Sequence, residues 1–259
     1  MSEKPLKDFT AAELEQKITA QREGGKIIAT ILKEMKSHAV AGVTGLELDQ
    51  LNRELCKKYK VEPTYLKEAK SFGYSICISK NDVLIHGVPN DEPFEDGDKV
   101  SFDLTIGHKG WCVDSAFTMV VGGKPNAALK HLIGATEQSF YVGTKNIKAG
   151  SRTGEIGSRI EQFLCSKKLG VIKDYIGHGI GRSMHEDPEV PNYGYAKSGA
   201  VLEAGQTICV EPMVSLGGIK TKIDRHDGWS VHIADGSLCA HYEHTILILK
   251  NGAEILTAW

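Results

Sequence analysis

Two segments of this sequence recur at nearly the same separation along the chain. One Thr-Gly pair begins at Thr44 and a second begins at Thr153, 109 residues later. In both cases a cysteine follows the threonine by twelve residues. The segment EDGDKVSFD at 95–103 corresponds to EAGQTICVE at 203–211, an offset of 108 residues, and each segment ends on an acidic residue. Two matches at almost the same offset indicate an internal duplication. A duplicated chain would pack two similar halves together, with a shared site between them.

The predicted secondary structure follows the same order in each half, a helix pair and then strands. Apolar residues at helical spacing predict a long first helix, and Thr44 with Glu47 three residues later forms a capping-box pattern for the second. Helices are predicted at 11–39, after Thr44, at roughly 126–147 and after Thr153. Strands are predicted at about 75–122, 206–216 and 239–256. We expect a single domain over 1–259, with an N-terminal extension at 1–11 and repeat units at roughly 25–122 and 126–256.

Charge and composition exclude several classes of protein. The formal net charge is −2 without a block of like charges, which argues against broad binding to nucleic acid or to a membrane surface. No apolar run approaches the roughly 18 residues that span a bilayer, and the charged start MSEKPLKDFTAAEL does not resemble a secretory signal. The six cysteines are scattered without a CxxC pair, as is typical of free thiols in a reducing cytosol. We therefore expect a cytoplasmic protein.

Two aspartates are predicted to face each other on a β-hairpin. In KVSFDLTIGHKGWCVDSAF, apolar and polar residues alternate up to GHKG, which fits a hairpin turn with His108-Lys109 as its two-residue loop. That register sets Asp103 opposite Asp114, with their Cβ atoms about 4.5–5.5 Å apart. Two carboxylates so close repel each other, so they require a shared proton, a bound cation or, on an exposed face, screening by solvent.

Further side chains of the ligand type occur in the second half. Glu211 holds the position of Asp103 in the repeat, and Glu243 lies on another apolar strand. His178 lies in the glycine-rich run GHGIGRSMHEDP. Buried charges are usually paired or coordinate a metal. Four carboxylates with an imidazole suit a pair of divalent cations, among them Zn, Fe, Co and Mn.

Five motifs in order resemble those of the methionine aminopeptidases, more specifically of the type I branch. They are IHGVP (85–89), the Asp103–Asp114 pair, GHGIGRSMHEDP (177–188), VEPMV (210–214) and YEHT (242–245), and the resemblance runs from about residue 12 to 257. The 33 residues between His178 and Glu211 leave no room for the extra helical subdomain of type II. The resemblance implies an α+β pita-bread fold, in which two pseudo-symmetric halves of helix pair plus antiparallel strands surround a central dinuclear metal site.

The same resemblance implies roles for the site residues. Two divalent metal ions, of cobalt, manganese, iron or zinc, would be held by Asp103, Asp114, His178, Glu211 and Glu243. Asp114 and Glu243 would bridge the two ions. His86 and His185 would contact the substrate, His185 near the scissile carbonyl and His86 near the scissile amide nitrogen. Glu211 would also act as the proton shuttle, which makes it the third catalytic residue beside the two histidines.

The pocket for the methionine side chain departs from the family's usual pattern on one wall. The substrate-binding residues would be Phe72, Cys77, Met184 and Trp229, together with His86 and His185. EAKSFGYS at 68–75 lacks the usual glycine and proline, Ala69 replaces a frequent aromatic residue, and Met184 stands where an aromatic residue is typical. Because methionine is flexible and polarisable, the pocket should still accept a thioether, with looser walls.

The implied activity is removal of the initiator methionine when the second residue is small. The partners would be nascent polypeptide N-termini, with docking on the ribosome left open, and we expect a monomer without a nucleic-acid partner. Two alternatives stay open. One is a proline-specific aminopeptidase, which usually carries an extra N-terminal domain, and the other is a non-catalytic pita-bread binding module, which generally loses metal ligands. His241 and His244 flank Glu243 and are candidates to hydrogen-bond the ligands.

Overall fold

The computed structural model describes residues 8–259, so residues 1–7 of the predicted N-terminal extension lie outside the described residues. The helices are α1 (Ala11–His38), α2 (Gly45–Tyr59), α3 (Thr64–Glu68), α4 (Ala127–Thr144) and α5 (Thr153–Ser166). The strands are β1 (Glu62–Pro63), β2 (Cys77–Lys80), β3 (Val83–Ile85), β4 (Lys99–His108), β5 (Trp111–Val120), β6 (Gly170–Val171), β7 (Gly177–Gly179), β8 (Glu186–Val190), β9 (Thr207–Val210), β10 (Met213–Ser215), β11 (Thr221–Ile223), β12 (Val231–Ile233), β13 (Cys239–His241), β14 (Glu243–Leu249) and β15 (Gly252–Ile255).

The four predicted helices and the three predicted strand regions are confirmed. The fourth helix begins at Thr153 itself rather than after it. The short helix α3 and the strands between residues 170 and 190 and between 221 and 233 were not predicted. No helix within residues 8–259 is both long and apolar enough to cross a membrane.

Capping boxes fix where the first two helices begin. At α2 the Glu47 backbone N–H donates to the Thr44 hydroxyl at 3.2 Å, and the Glu47 carboxylate accepts from the Thr44 backbone N–H at 2.8 Å. Thr10 and Glu13 make the same reciprocal pair at α1. These bonds satisfy backbone donors that a first helical turn leaves unpaired, so the predicted cap at Thr44 is confirmed.

One large antiparallel sheet contains the strands that carry the predicted ligands. Its strands run in the order β1-β4-β5-β14-β9-β7-β8, with β2 also paired to β4 and β15 also paired to β14. Strand β14 pairs with β5 on one side and with β9 on the other, so it joins the first part of the chain to the second. Two further sheets of three strands each have the orders β13-β10-β6 and β11-β12-β3.

Two apolar clusters form most of the core. The first draws on α1, α2, β4 and β5, with Leu32 and Phe102 among its fully buried members. The second draws on α4, α5, β9 and β14, with Ile160 and Ile246 fully buried. Burying each such side chain stabilises the fold by about 1.5–3 kcal/mol. Each cluster packs one helix pair against strands of the large sheet, an arrangement that supports the proposed duplication.

The predicted loop of the β4–β5 hairpin is wrong by one residue. His108 pairs with Trp111, so the two-residue loop is Lys109-Gly110 rather than His108-Lys109. Both loop residues have positive φ, 51° and 79°. A type I′ turn requires positive φ at both positions, and glycine adopts it without strain.

This one-residue shift of the loop changes which residues face the two aspartates. Asp114 pairs with Thr105, and Asp103 pairs with Ala116. The two carboxylates therefore share one face of the hairpin but lie on a diagonal, where neighbours are about 7–8 Å apart. The prediction that they are directly opposite is wrong, although they remain close enough to interact.

Candidate active site

Five neighbouring strands of the large sheet each bring one predicted metal ligand to the same place. In sheet order the strands are β4, β5, β14, β9 and β7, and the residues are Asp103, Asp114, Glu243, Glu211 and His178. Glu211 directly follows its strand, and the other four residues lie within theirs. The sheet thus gathers residues that are far apart in sequence.

The ligand atoms lie close together in a buried cluster. His178 Nε2 lies 3.5 Å from a carboxylate oxygen of Glu211. One ligand atom from each of Asp114, His178, Glu243 and Cys209 lies within 4.8 Å of the others. All four carboxylate residues are between 2% and 9% exposed. Water therefore does little to screen their mutual repulsion.

If all four carboxylates of the cluster were ionised, their negative charge would exceed what the surrounding residues neutralise. Burial raises the pKa of Asp114 well above its ordinary value, and the charge of Asp103 raises it further. Burial likewise raises the pKa of Glu211 and Glu243, whereas it lowers the pKa of His178 to about 3 and leaves that imidazole neutral. Asp114 Oδ1 and Glu243 Oε1 have no hydrogen-bond partner among the described residues. Unpartnered, buried carboxylate oxygens beside a neutral imidazole are a donor set that fits divalent cations.

A cavity of about 680 Å³ shares a wall with this cluster. All the predicted substrate-binding residues line it: Phe72, Cys77, Met184, Trp229, His86 and His185. The Phe72 ring packs edge-on against Trp229, with 5.3 Å between centroids. Tyr65 also lines the cavity, and its hydroxyl donates to Asp103 at 3.1 Å. The walls are those of a compartment that can hold a flexible apolar side chain next to the carboxylates.

The two predicted substrate histidines lie where the cavity meets the cluster. The His185 ring packs edge-on against the His178 ring, with centroids 4.4 Å apart. His86, directly after strand β3, adopts a positive φ of 55°, a conformation that is uncommon for residues other than glycine. Burial lowers the pKa of His86 to about 4, so its imidazole is neutral and keeps one N–H donor.

Glycines on both sides of His178 let its strand pack closely between two others. Strand β7 pairs with β8 and with β9. A Cβ atom at Gly177 would collide with the backbone of Cys209, and one at Gly179 would collide with the backbone of Asp187. Any larger residue would push β7 away and withdraw the imidazole from the carboxylates, which explains the GHG run.

Three residues at the site were not identified from the sequence. The Tyr65 contact is described above, the Glu68 carboxylate accepts from the backbone N–H of Met184 at 2.9 Å, and Cys209 lies beside the ligand cluster. Tyr65 and Glu68 lie on the five-residue helix α3, which no pattern in the sequence predicts. Cys209 did have a signal, because it precedes Glu211 by two residues and alternate residues of a strand share a face.

Of the two histidines that flank Glu243, only His241 faces the cluster. Its Nε2 atom lies 3.4 Å from a Glu211 oxygen and 4.0 Å from a Glu243 oxygen. His244 lies on the other side of the strand, where its Nδ1 contacts the Thr257 hydroxyl at 2.8 Å. The expectation that His244 could hydrogen-bond the ligands is therefore wrong, since Glu243 and His244 are successive residues of β14 and point to opposite faces.

Known proteins resemble this chain in sequence and in fold. Residues 19–250 match metallopeptidase family M24. The methionine aminopeptidase of Mycoplasma capricolum is 44% identical over 243 residues, which cover 94% of this chain and 96% of that protein. The crystal structure of methionine aminopeptidase from Thermotoga maritima is 39% identical and superimposes with a TM-score of 0.89, covering 97% of this chain and 98% of the other.

A prolidase has the same fold at lower identity. The enzyme from Pyrococcus furiosus is 22% identical with a TM-score of 0.74, covering 94% of this chain and 64% of the other, so this likeness concerns the fold alone. Methionine aminopeptidases and prolidases share the pita-bread fold. The α+β pita-bread fold predicted from the sequence is confirmed.

Proposed function

This chain belongs to metallopeptidase family M24, and from that membership we propose that it removes the N-terminal methionine from nascent proteins and peptides. One observation carries the proposal: a cavity with apolar and aromatic side chains in its wall adjoins a buried cluster of carboxylates, with His185 at the junction. An aminopeptidase needs such a compartment, because it must hold the first side chain while the first peptide bond lies at the hydrolytic centre. The proline-specific alternative has only a likeness of fold, and a non-catalytic module would not keep the full ligand set.

We propose that two divalent metal ions, of cobalt, manganese, iron or zinc, complete the site. Asp103, Asp114, His178, Glu211 and Glu243 would hold them. The buried oxygens of Asp114 and Glu243 that lack a protein partner support this proposal. When bound, such ions acidify water and polarise the peptide carbonyl.

Side chains of the protein would orient the substrate, transfer the proton and hydrogen-bond the reacting peptide group. The cavity would bind the methionine side chain and so orient the first peptide bond. Glu211 would take a proton from the attacking water and pass it to the leaving amine. His185 would donate to the carbonyl oxygen as negative charge develops there, and neutral His86 would donate or accept at the amide nitrogen.

Peptide cleavage tests this function directly. Met-Ala and Met-Lys peptides, otherwise identical, should differ strongly in cleavage rate, because the second side chain would be crowded at the cavity rim. A panel of Xaa-Gly-Met peptides with Met, Leu, Phe or Pro first, assayed with each metal, should show a preference for methionine. Equal rates on Met-Ala and Met-Lys would contradict the size selection, and a preference for Pro would contradict the function.

We also propose where and in what form the chain acts. Its substrates would be the N-termini of nascent polypeptides in the cytoplasm, and it would act as a monomer without a nucleic-acid partner. The net charge of −2, spread without like-charge blocks, supports the absence of a nucleic-acid partner. Sedimentation of the active enzyme and co-sedimentation with ribosomes would test the oligomeric state and the docking separately.

A further inference from the structure

Cys209 is a buried thiol beside the proposed metal ligands, and the mechanism above gives it no role. Its side chain is fully buried on β9. The sulfur lies within 4.8 Å of ligand atoms of Asp114, His178 and Glu243. The sulfur contacts the Thr245 hydroxyl at 3.6 Å, a long interaction, and the thiol also hydrogen-bonds the Glu243 carboxylate. The thiol therefore lies among ligand-type side chains and is already in contact with one of them, Glu243.

The surroundings of this thiol point independently to a cation. Asp114 Oδ1 and Glu243 Oε1 are buried and have no hydrogen-bond partner among the described residues. Both residues belong to the group whose ligand atoms surround the Cys209 sulfur. In a tetrahedral site with metal–ligand bonds of about 2.0–2.3 Å, ligand atoms lie about 3.3–3.8 Å apart. Separations of at most 4.8 Å thus require only small side-chain rotations to meet around one ion.

We propose that Cys209 is a thiolate ligand of the cation shared by Asp114, His178 and Glu243. This inference rests on the proposed metal centre and adds a ligand to it. On binding, the S–H bond breaks, the proton passes to solvent, and the sulfur lone pair forms the bond to the metal. No oxidation or reduction takes place, because the ion keeps its charge and the thiolate only donates its electron pair.

A sulfur ligand changes which ions the centre prefers. Thiolates favour softer ions such as Zn²⁺, Co²⁺ and Cd²⁺, whereas carboxylates alone suit harder ions such as Mn²⁺. The chain's centre should therefore bind Cd²⁺ more tightly than the five oxygen and nitrogen ligand residues would by themselves. It should also bind thiophilic ions in a manner that depends on this one side chain.

Cobalt spectroscopy of the metal-free protein tests the proposal without measuring activity. Titration with Co²⁺ should produce a sulfur-to-cobalt charge-transfer band in the near ultraviolet in the wild type, and Cys209→Ser should lose it. Cys56→Ser is the matched control, since it removes a buried thiol whose side-chain hydrogen bond goes to Asn52 within the same helix, α2. Cys165→Ser removes an exposed thiol that could bind cobalt non-specifically. Both controls should keep the band.

Calorimetry with two ions gives a second reading. Cys209→Ser should weaken Cd²⁺ binding by about tenfold or more while leaving Mn²⁺ binding nearly unchanged. Thermal unfolding of the metal-free variants checks that each is folded; should Cys209→Ser fail that check, Cys209→Ala takes its place. Tight Co²⁺ binding without the charge-transfer band would overturn the ligand assignment and leave the metal centre standing. Absence of tight binding by any of these ions would overturn both.

Discussion

Replacing His185 with alanine should separate catalysis from stability because of where this side chain lies. His185 is exposed at the cavity, so the substitution should change the free energy of unfolding by less than about 0.5 kcal/mol. If its imidazole donates to the carbonyl oxygen, its loss should raise the activation free energy by about 2.7–4 kcal/mol, a fall of about 10²–10³ in kcat. The fall should appear in kcat and in kcat/KM alike, since the interaction is made mainly in the transition state.

His178→Ala is the matched comparison, because the two rings are in contact at 4.4 Å between centroids. This variant removes an imidazole from the ligand cluster, so we expect it to lose at least one metal ion, whereas His185→Ala should keep the wild-type metal content. The measurements are steady-state cleavage of a Met-Ala peptide, metal content by mass spectrometry, and urea unfolding of each protein. A His185→Ala protein with normal kcat and full metal content would refute the donor role, and equal metal loss in both variants would refute the division between them.

Three further predictions concern the ligand cluster, the cavity wall and a buried lysine. Asp114→Asn should abolish tight binding of both metal ions and Asp103→Asn should weaken only one, because only Asp114 is proposed to bridge; metal titrations with equal retention would count against the cluster. Glu68→Ala should raise KM about three- to tenfold by releasing the Met184 backbone N–H, and Glu68→Gln, which keeps an acceptor, should reverse most of the change; an unchanged KM in Glu68→Ala would exclude the effect. Burial lowers the pKa of Lys17 from 10.5 to about 8, so the unfolded state binds its proton more tightly and the free energy of unfolding should rise between those pH values by up to about 3 kcal/mol. Lys17→Met should remove that rise in urea unfolding measured across the same pH range, and parallel curves for the two proteins would contradict it.

Local patterns in the sequence were sufficient to predict the elements that present the site. The Thr44 capping box marked the start of α2, and the alternation around Asp103 indicated a strand with that carboxylate on its polar face. Such features depend on neighbours within one or two turns or along one strand. They can therefore be read without knowing what the segment packs against.

The register of the hairpin could not be predicted in the same way. The turn requires Lys109 to adopt a positive φ, for which lysine has no intrinsic preference, so GHKG alone does not distinguish between two adjacent loops. A shift of one residue in the loop moves each pairing by two residues. It therefore preserved the face that Asp103 and Asp114 share while changing the residue opposite each of them.

Contacts between segments that are distant along the chain could not be predicted from the sequence either. Glu68 meets the backbone of Met184 across 116 residues of chain, and their contact depends on how α3 packs against the loop before β8. The position of His241 beside Glu211 depends in a similar way on the packing of β13 against the large sheet. Neither α3 nor β13 has a local sequence pattern that predicts which segment it packs against.

The ligands are divided between two stretches of chain that one exposed loop connects. Residues 122–126 are exposed, and they separate Asp103 and Asp114 from His178, Glu211 and Glu243. Strand β5 of the first stretch and strand β14 of the second pair through two residue pairs. A cut in this loop would give two fragments, neither of which carries all five ligand residues. Hydrolysis would then become a bimolecular property that scales with the concentration of both fragments, so fusing each fragment to one of two binding partners would turn peptide cleavage into a reporter of their encounter.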